Sequence, residues 1–372
     1  MMTTPCIRSR WRRALTAAST GAWLALAAGA ASAAVDEPRA TGREPPAPVR
    51  VMVVNLFGLE AEPWLAALRP DRKIVVPGLA AEYPLVQCNA DAVCQLTTGM
   101  GHANAAASMM AVLFSDRFDL SRTYFVVAGI AGIDPARGTI GTVAWARYAV
   151  DSGIAHEIDV RELPRGWRDG YFGVMTDGPR QKPRFDYQTE VFQLDESLLQ
   201  QALALSRTVV LEDSEELRRY RRHYPLAPAR DVPRVTQCDT SSGDTWWAGR
   251  RLGEHARRWT ALLTDGKGVY CTTQQEDNAV LNAMARAAHA GRVDLRRIAI
   301  LRSGADFDRP YPHQGAVDSL RAQRSLHDAA RIAAGNLVRA GMPLVTDIVQ
   351  RWPKWQLGVP GAGDLADAAV AR

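Results

Sequence analysis

The chain has 372 residues, with 45 Lys plus Arg against 40 Asp plus Glu and a formal net charge of +5. Four of those cations, Arg8, Arg10, Arg12 and Arg13, stand in the first 33 residues without any acid, so the charge beyond them falls to +1. With no basic stripe interleaved with aromatics, nucleic-acid binding is set aside. No segment after residue 33 approaches the roughly 20 strongly apolar residues of a membrane helix, so a helical channel is set aside too.

In chain order, the arginines lead into an Ala/Leu-rich run from Ala14 to Ala30, followed by Ala31, Ser32 and Ala33 ahead of Ala34. This is the order of a secretory signal, expected to be cleaved near Ala33 and to deliver a soluble protein of about 339 residues to the periplasm, with no stable span. Arg12 and Arg13 leave the Sec and twin-arginine routes both open. Residues 34–48, rich in Pro, Glu, Arg and Gly, read as a flexible lead-in.

Folding begins at Val49. Val51 to Asn55 reads as a buried strand and Ala61 to Leu68 as a helix turning Trp64 and Leu65 inward. Val93 to Thr98 is a second strand, followed by a turn at Gly99 and Gly101 and a small-residue helix from Ala103 to Leu113. Thr123 to Ala128 is a third, ending at Gly129 and Gly132, and Gly141 to Val150 a fourth. Alternating strands and helices imply an α/β fold with a mostly parallel sheet.

Residues 151–233 read as an insertion over the sheet, with helices near Glu196 to Leu205 and Ser214 to Arg222. The sheet resumes at Val235. A helix is expected over Asp277 to His289, a strand over Arg297 to Leu301 and one long helix over Gly315 to Arg339, leaving 346–372 as a tail after a domain at 49–345. Ligands of such sheets bind beyond the carboxyl ends of the strands, which selects Asn55, Gly99, Gly129 and Ser303 as rim positions. Of the cysteines after residue 33, Cys88 and Cys94 are spaced to staple a hairpin, whereas Cys238 and Cys271 are either a disulfide or buried thiols. None has metal-ligand spacing, and no cofactor is expected.

Four strand-end segments together resemble the nucleoside phosphorylase and methylthioadenosine nucleosidase superfamily, and its purine nucleoside permease branch most. They are TTGMGHANAAAS at Thr97 to Ser108, AGIAGIDPARGTIGTVAWARYAV at Ala128 to Val150, SSGDTWW at Ser241 to Trp247 and QQED at Gln274 to Asp277. The HEIDVRELP stretch from His156 points to the permease branch. The resemblance spans residues 50–345. It implies a nucleoside-phosphorylase-like fold, a purine nucleoside or purine base as partner and assembly as a homo-oligomer.

By the same resemblance Gly129, Ile130 and Ala131 form the central loop, Asp244 and Trp246 belong to the segment that faces the base, and Gln275 and Glu276 hold the ribose. A carboxylate such as Glu276 accepts from both the 2′ and 3′ hydroxyls; the competing reading is an ordinary helix-start acid. LRSGADF at Leu301 to Phe307 supplies Ser303 at the superfamily's aspartate position and Asp306 as the donor to purine N7. Glu60, in VVNLFGLEAEPW, falls where hydrolytic members carry the acid that activates water. Ile130 stands where phosphorylases carry Ser or Thr, which disfavours phosphorolysis. Two readings follow: a nucleoside hydrolase with Glu60 and Asp306 as catalytic acids, or a non-catalytic nucleoside-binding protein that supports uptake.

Overall fold

A computed structural model describes residues 45–361. The signal segment, most of the lead-in and the last part of the tail lie outside the described residues.

One twelve-stranded mixed sheet organises the chain. Its strands are β1 (Val51–Asn55), β2 (Arg72–Val75), β3 (Leu85–Cys88), β4 (Val93–Thr97), β5 (Tyr124–Ile133) and β6 (Val143–Trp145). The remaining six are β7 (Tyr148–Asp151), β8 (Val191–Gln193), β9 (Val235–Gln237), β10 (Asp239–Ser242), β11 (Tyr270–Gln274) and β12 (Ile298–Phe307). The helices are α1 (Gly58–Leu68), α2 (His102–Leu113), α3 (Glu196–Ser206), α4 (Glu215–Arg221), α5 (Ala227–Arg230), α6 (Arg250–Leu263), α7 (Asp277–His289), α8 (Ala316–Arg324), α9 (Ala329–Gln350) and α10 (Trp352–Trp355).

The central strands are buried on both faces, so apolar residues run through them without a polar side. Met52, Val54, Phe125, Val127 and Ile300 meet α2 and α7, while Val51, Val53, Tyr124, Val126, Ala299 and Leu301 meet α1, α3 and α9. Period-two alternation therefore assigns each strand residue to one helical layer or the other.

β1, β5 and β12 pair in parallel, and β4 extends that set. Beyond the end of β1, β11 takes over the same edge of β5 in antiparallel register. β12 then pairs with β6, the β6–β7 segment with β9–β10, and β10 with β11. These pairings close a circuit, a small barrel at the carboxyl end of the sheet.

This closure explains why β5 and β12 run past Ala128 and Leu301, where the sequence pattern ends them. Gly129 is a strand residue here and not a turn. A Cβ on it would stand 2.3 Å from Nη1 of Arg302 and 2.6 Å from Leu56, so the missing side chain is what lets a guanidinium cross the sheet.

Four further expectations are corrected. The strand expected over 141–150 is broken at Ala146 and Arg147, where the backbone N–H groups of Arg147 and Tyr148 donate to buried Asp239. The helix expected over 315–339 is two, α8 and α9, and the second continues to Gln350 through Gly341 and Pro343 because Trp64 packs on Gly341. α9 is long and apolar enough to cross a membrane by length and composition, contrary to the sequence reading, but its apolar face packs into the core beside Trp64 and Leu301. Residues beyond 345 join the same body: the Trp355 carbonyl accepts from Tyr124 at 2.9 Å and Arg297 at 3.0 Å, and the Pro360 carbonyl from Gln201 at 2.7 Å.

Within 151–233, β8 extends the sheet edge and α3 buries Leu198, Leu199 and Ala202 in the core. The segment outside the layers is thus about 152–190. Both cysteine pairs form disulfides, Cys88 with Cys94 and Cys238 with Cys271.

Candidate functional site

The carboxyl ends of the strands and the barrel rim surround a cleft of about 780 Å³, part of it open to solvent. Leu56, Phe57 and Glu60 line it from the β1–α1 junction, Met100 from the turn before α2, and Ile130 to Gly132 from β5. The loop after β10 adds Trp246 and Trp247, the end of β11 adds Gln275 and Glu276, and the end of β12 adds Asp306 and Asp308.

One end of the cleft is built on Arg302, which is fully buried. Its Nη2 donates to Asp277 at 2.6 Å, Glu276 at 3.2 Å and the Gln274 side chain at 3.3 Å, and its Nη1 donates to the Ile130 carbonyl at 3.1 Å. Glu60 is also buried. Its carboxyl accepts from the N–H of Leu56 and of Ile130, both at 2.7 Å. One guanidinium thus serves three neighbouring carboxyls, and they cannot all ionise cheaply. Burial pushes Glu60 up to about 7, opposed by Arg302 and the two N–H groups and reinforced by Glu276. Burial likewise raises Asp277 against the pull of Arg302. Glu276 also accepts from the Gly101 N–H at 3.1 Å, which ties the start of α2 to the site.

The other end is arranged differently. Asp306 stands partly exposed on the cleft wall, and no described residue donates a hydrogen bond to it. Burial and the neighbouring Asp308 charge push its carboxyl up to about 7. Asp308 is itself held by Arg309 (Nε to Oδ1 2.6 Å, Nη2 to Oδ2 2.8 Å) and by the Tyr270 hydroxyl at 2.8 Å.

Of the residues singled out from sequence, Glu60, Ile130, Ala131, Trp246, Gln275, Glu276 and Asp306 line this one cleft. Trp246 is 74% exposed. Gly129 lies behind the wall beside Arg302. Asn55 is buried away from the cleft, donating to the Ala128 carbonyl at 2.7 Å and accepting from Gln95. Ser303 is buried and does not line the cleft. Asp244 lines an adjoining cavity, accepts from the His102 N–H at 2.8 Å and lets its carbonyl accept from Gln275 at 2.6 Å.

Sequence reasoning missed Arg302, Asp277 and Asp308. The signal for the first was available: an arginine inside the apolar run IAILRSG must be buried, and a buried charge needs partners. Among the described residues no group of three or more His, Cys, Asp or Glu is arranged to hold a metal.

The site is thus the barrel end of an α/β protein, with an acid-lined cleft, an internal arginine and an exposed indole. The chain belongs to the purine nucleoside permease family, whose description, purine nucleoside permease (NUP), matches residues 48–360. It is 41% identical over 320 residues to a probable purine nucleoside permease of Schizosaccharomyces pombe, covering 82% of this chain and 90% of that protein. It is 38% identical over 310 residues to a purine nucleoside permease of Candida albicans, covering 82% and 76%. Among solved structures it is similar to a 5′-methylthioadenosine/S-adenosylhomocysteine nucleosidase of Neisseria meningitidis (TM-score 0.48, 17% identity, 80% of this chain and 99% of that one). A Streptococcus pneumoniae nucleosidase of the same type gives a TM-score of 0.47 at 15% identity, covering 79% and 99%.

Proposed function

We propose that the chain binds purine nucleosides in this cleft and cleaves their N-glycosidic bond by hydrolysis. The observation that carries the reading is the convergence of Glu60, Trp246, Glu276 and Asp306, from four distant segments, on one cavity. Trp246 presents a flat apolar face for the base, and Glu276 accepts from ribose hydroxyls. Glu60 and Asp306 both titrate near neutrality, so one can hold a proton while the other lacks it.

In that arrangement Asp306 gives its proton to purine N7 as the C1′–N9 bond breaks and the base gathers negative charge. Glu60 takes a proton from water as its oxygen bonds to C1′, leaving free ribose and free base. Return of the proton from Glu60 to Asp306 through solvent resets the pair. Phosphorolysis is disfavoured on two counts. Position 130 offers an apolar side chain, and its backbone N–H, which a phosphate would need, already donates to Glu60.

The test is purified protein lacking residues 1–33, incubated with inosine or adenosine with and without phosphate. Hydrolysis gives free base at equal rates in both, and no base in either would end the enzymatic reading. A second reading, capture of nucleoside for uptake without turnover, is favoured by the names of the relatives, purine nucleoside permeases. Replacing Glu60 by Gln separates the two: a hydrolase loses turnover and keeps affinity, whereas a capture protein changes little.

Export to the periplasm is proposed with either reading, and two disulfides fit an oxidising compartment. Assembly as a homo-oligomer is proposed as well, because Met100 (53% exposed) and Trp246 leave apolar surface at the cleft mouth. Cell fractionation with and without residues 1–33, and light scattering of the purified protein, test these two points.

A further inference from the structure

Asp308 is two residues beyond Asp306 and shares its cleft. The two carboxyls have opposite surroundings. Both oxygens of Asp308 are taken, by the bidentate Arg309 guanidinium and by Tyr270, so Asp308 cannot present a proton to a ligand. Asp306 has free oxygens and faces the cavity. Gly132 sits against both residues: a Cβ there would stand 2.9 Å from Oδ1 of Asp306 and 3.8 Å from Cα of Asp308, so the Asp306 carboxyl lies close to Asp308.

Behind Asp308 the charges alternate toward the surface. Arg309 lies 3.5 Å from buried Asp134, Asp134 is gripped by Arg257 through two contacts of 2.6 Å, and Glu254, half-exposed, closes the chain on Arg309 at 2.9 Å. Burial pushes Asp308 itself up to about 6 and Arg309 and Tyr270 pull it back, so it carries its charge near pH 7, and the ladder does this without touching Asp306. The other charged groups around the cleft, Glu60, Glu276 and Asp277, are compensated by Arg302 at the far end. Among the described residues, Asp308 is the one charged group that adds to burial in raising Asp306.

We infer that Asp308 is a positioning residue: a fixed negative charge, anchored by Arg309 and Tyr270, whose task is to keep Asp306 protonated so that it donates to the purine. A like charge beside a carboxyl disfavours its ionisation. The inference rests on the reading of Asp306 as the donor to N7, and the experiment keeps the two apart.

The affinity of the protein for adenine is measured calorimetrically against pH, with 7-deazaadenine, which lacks the N7 acceptor, as the control. In the unaltered protein adenine affinity is expected to fall as pH rises through about 7, where Asp306 loses its proton, and 7-deazaadenine should show no such fall. Asp308→Asn should move the break to lower pH by about one unit or more, and Tyr270→Phe should move it less in the same direction, with folding of each variant checked by circular dichroism. A break that stays in place in both variants overturns the role of Asp308 and leaves Asp306 as donor. No break in the unaltered protein overturns the donor reading and the inference with it. Should Asp308→Asn fail to fold, Tyr270→Phe, which removes a single neutral hydrogen bond, decides alone.

Discussion

The two ends of the cleft use the same residue types to opposite effect. Around Arg302, three carboxyls and a side-chain amide converge on one guanidinium and almost every polar atom has a partner. Around Asp306, the carboxyl that faces the cavity has none, and the nearest charge is of its own sign. A satisfied network is rigid and holds a ligand in place, while an unsatisfied acid at the wall keeps a proton to give. The difference separates a holding end from a reacting end.

The largest expected effect breaks the holding end. Arg302→Met removes the one cation shared by Glu60, Glu276 and Asp277, and an unpaired buried carboxylate is costly. A loss of about 3–5 kcal/mol in unfolding free energy is expected, read as a lower denaturant midpoint. Arg302→Lys keeps the charge but cannot span Asp277, Glu276 and the Ile130 carbonyl at once, so it should recover only part of the loss. A variant as stable as the original would show that the network at this end is not structural.

Asp306→Asn probes the reacting end. The amide cannot supply a proton, so base release should slow by roughly 10²–10⁴-fold while nucleoside affinity changes far less. Stability should not suffer, because no described residue donates to Asp306. An equal loss of rate and affinity would instead make Asp306 a binding group.

A third prediction uses both ends through pH. Glu60 and Asp306 keep protons in the fold up to about 7, well above the ordinary carboxylate range. Between the unfolded and folded values the native state therefore binds more protons than the unfolded chain. Stability contributed by these groups is complete below about pH 4 and is lost as pH rises toward 7, by about 1.4 kcal/mol per pH unit for each fully buried group. Asp306, partly exposed, contributes less than Glu60. Denaturant midpoints from pH 4.5 to 7.5 should fall, and Asp306→Asn should make the fall shallower.

This contrast was only half legible in the sequence. Glu60, Glu276 and Asp306 were found because the segments that carry them resemble motifs of a known superfamily, whereas the strand-end rule alone selected Asn55, Gly99, Gly129 and Ser303. Arg302 escaped because its partners come from β5, β11 and α7, and sequence spacing says nothing about which strands are neighbours. Gly129 and Gly132 were read as turn residues for the same reason: what they make room for, the Arg302 guanidinium and the Asp306 carboxyl, arrives from another strand. Ser303 illustrates the cost of a register. It is adjacent to Arg302, and a shift of one residue along a strand turns a side chain to the opposite face. The irregularity between Gly304 and Asp306 then breaks the alternation that would have linked Arg302 to Asp306 on one face.

The smallest effect on the fold concerns the wall between the two ends, where Trp246 and Trp247 are adjacent but unequal. Trp246 is 74% exposed, whereas Trp247 is half-buried and separates the cleft from the adjoining cavity. Trp246→Ala should leave unfolding free energy within about 0.5 kcal/mol, as expected of an exposed side chain. If the indole stacks on the purine, its removal should still cost about 1–3 kcal/mol of binding, the range seen when an aromatic under a base is truncated. That is a loss of affinity of roughly 5- to 150-fold, measured calorimetrically with inosine. Trp247→Ala should do the reverse, lowering stability through lost packing while acting on affinity only through the shape of the wall. A Trp246→Ala protein that binds inosine unchanged would move the stacking surface to Trp247 and leave the holding end, with Glu276, as the main source of affinity.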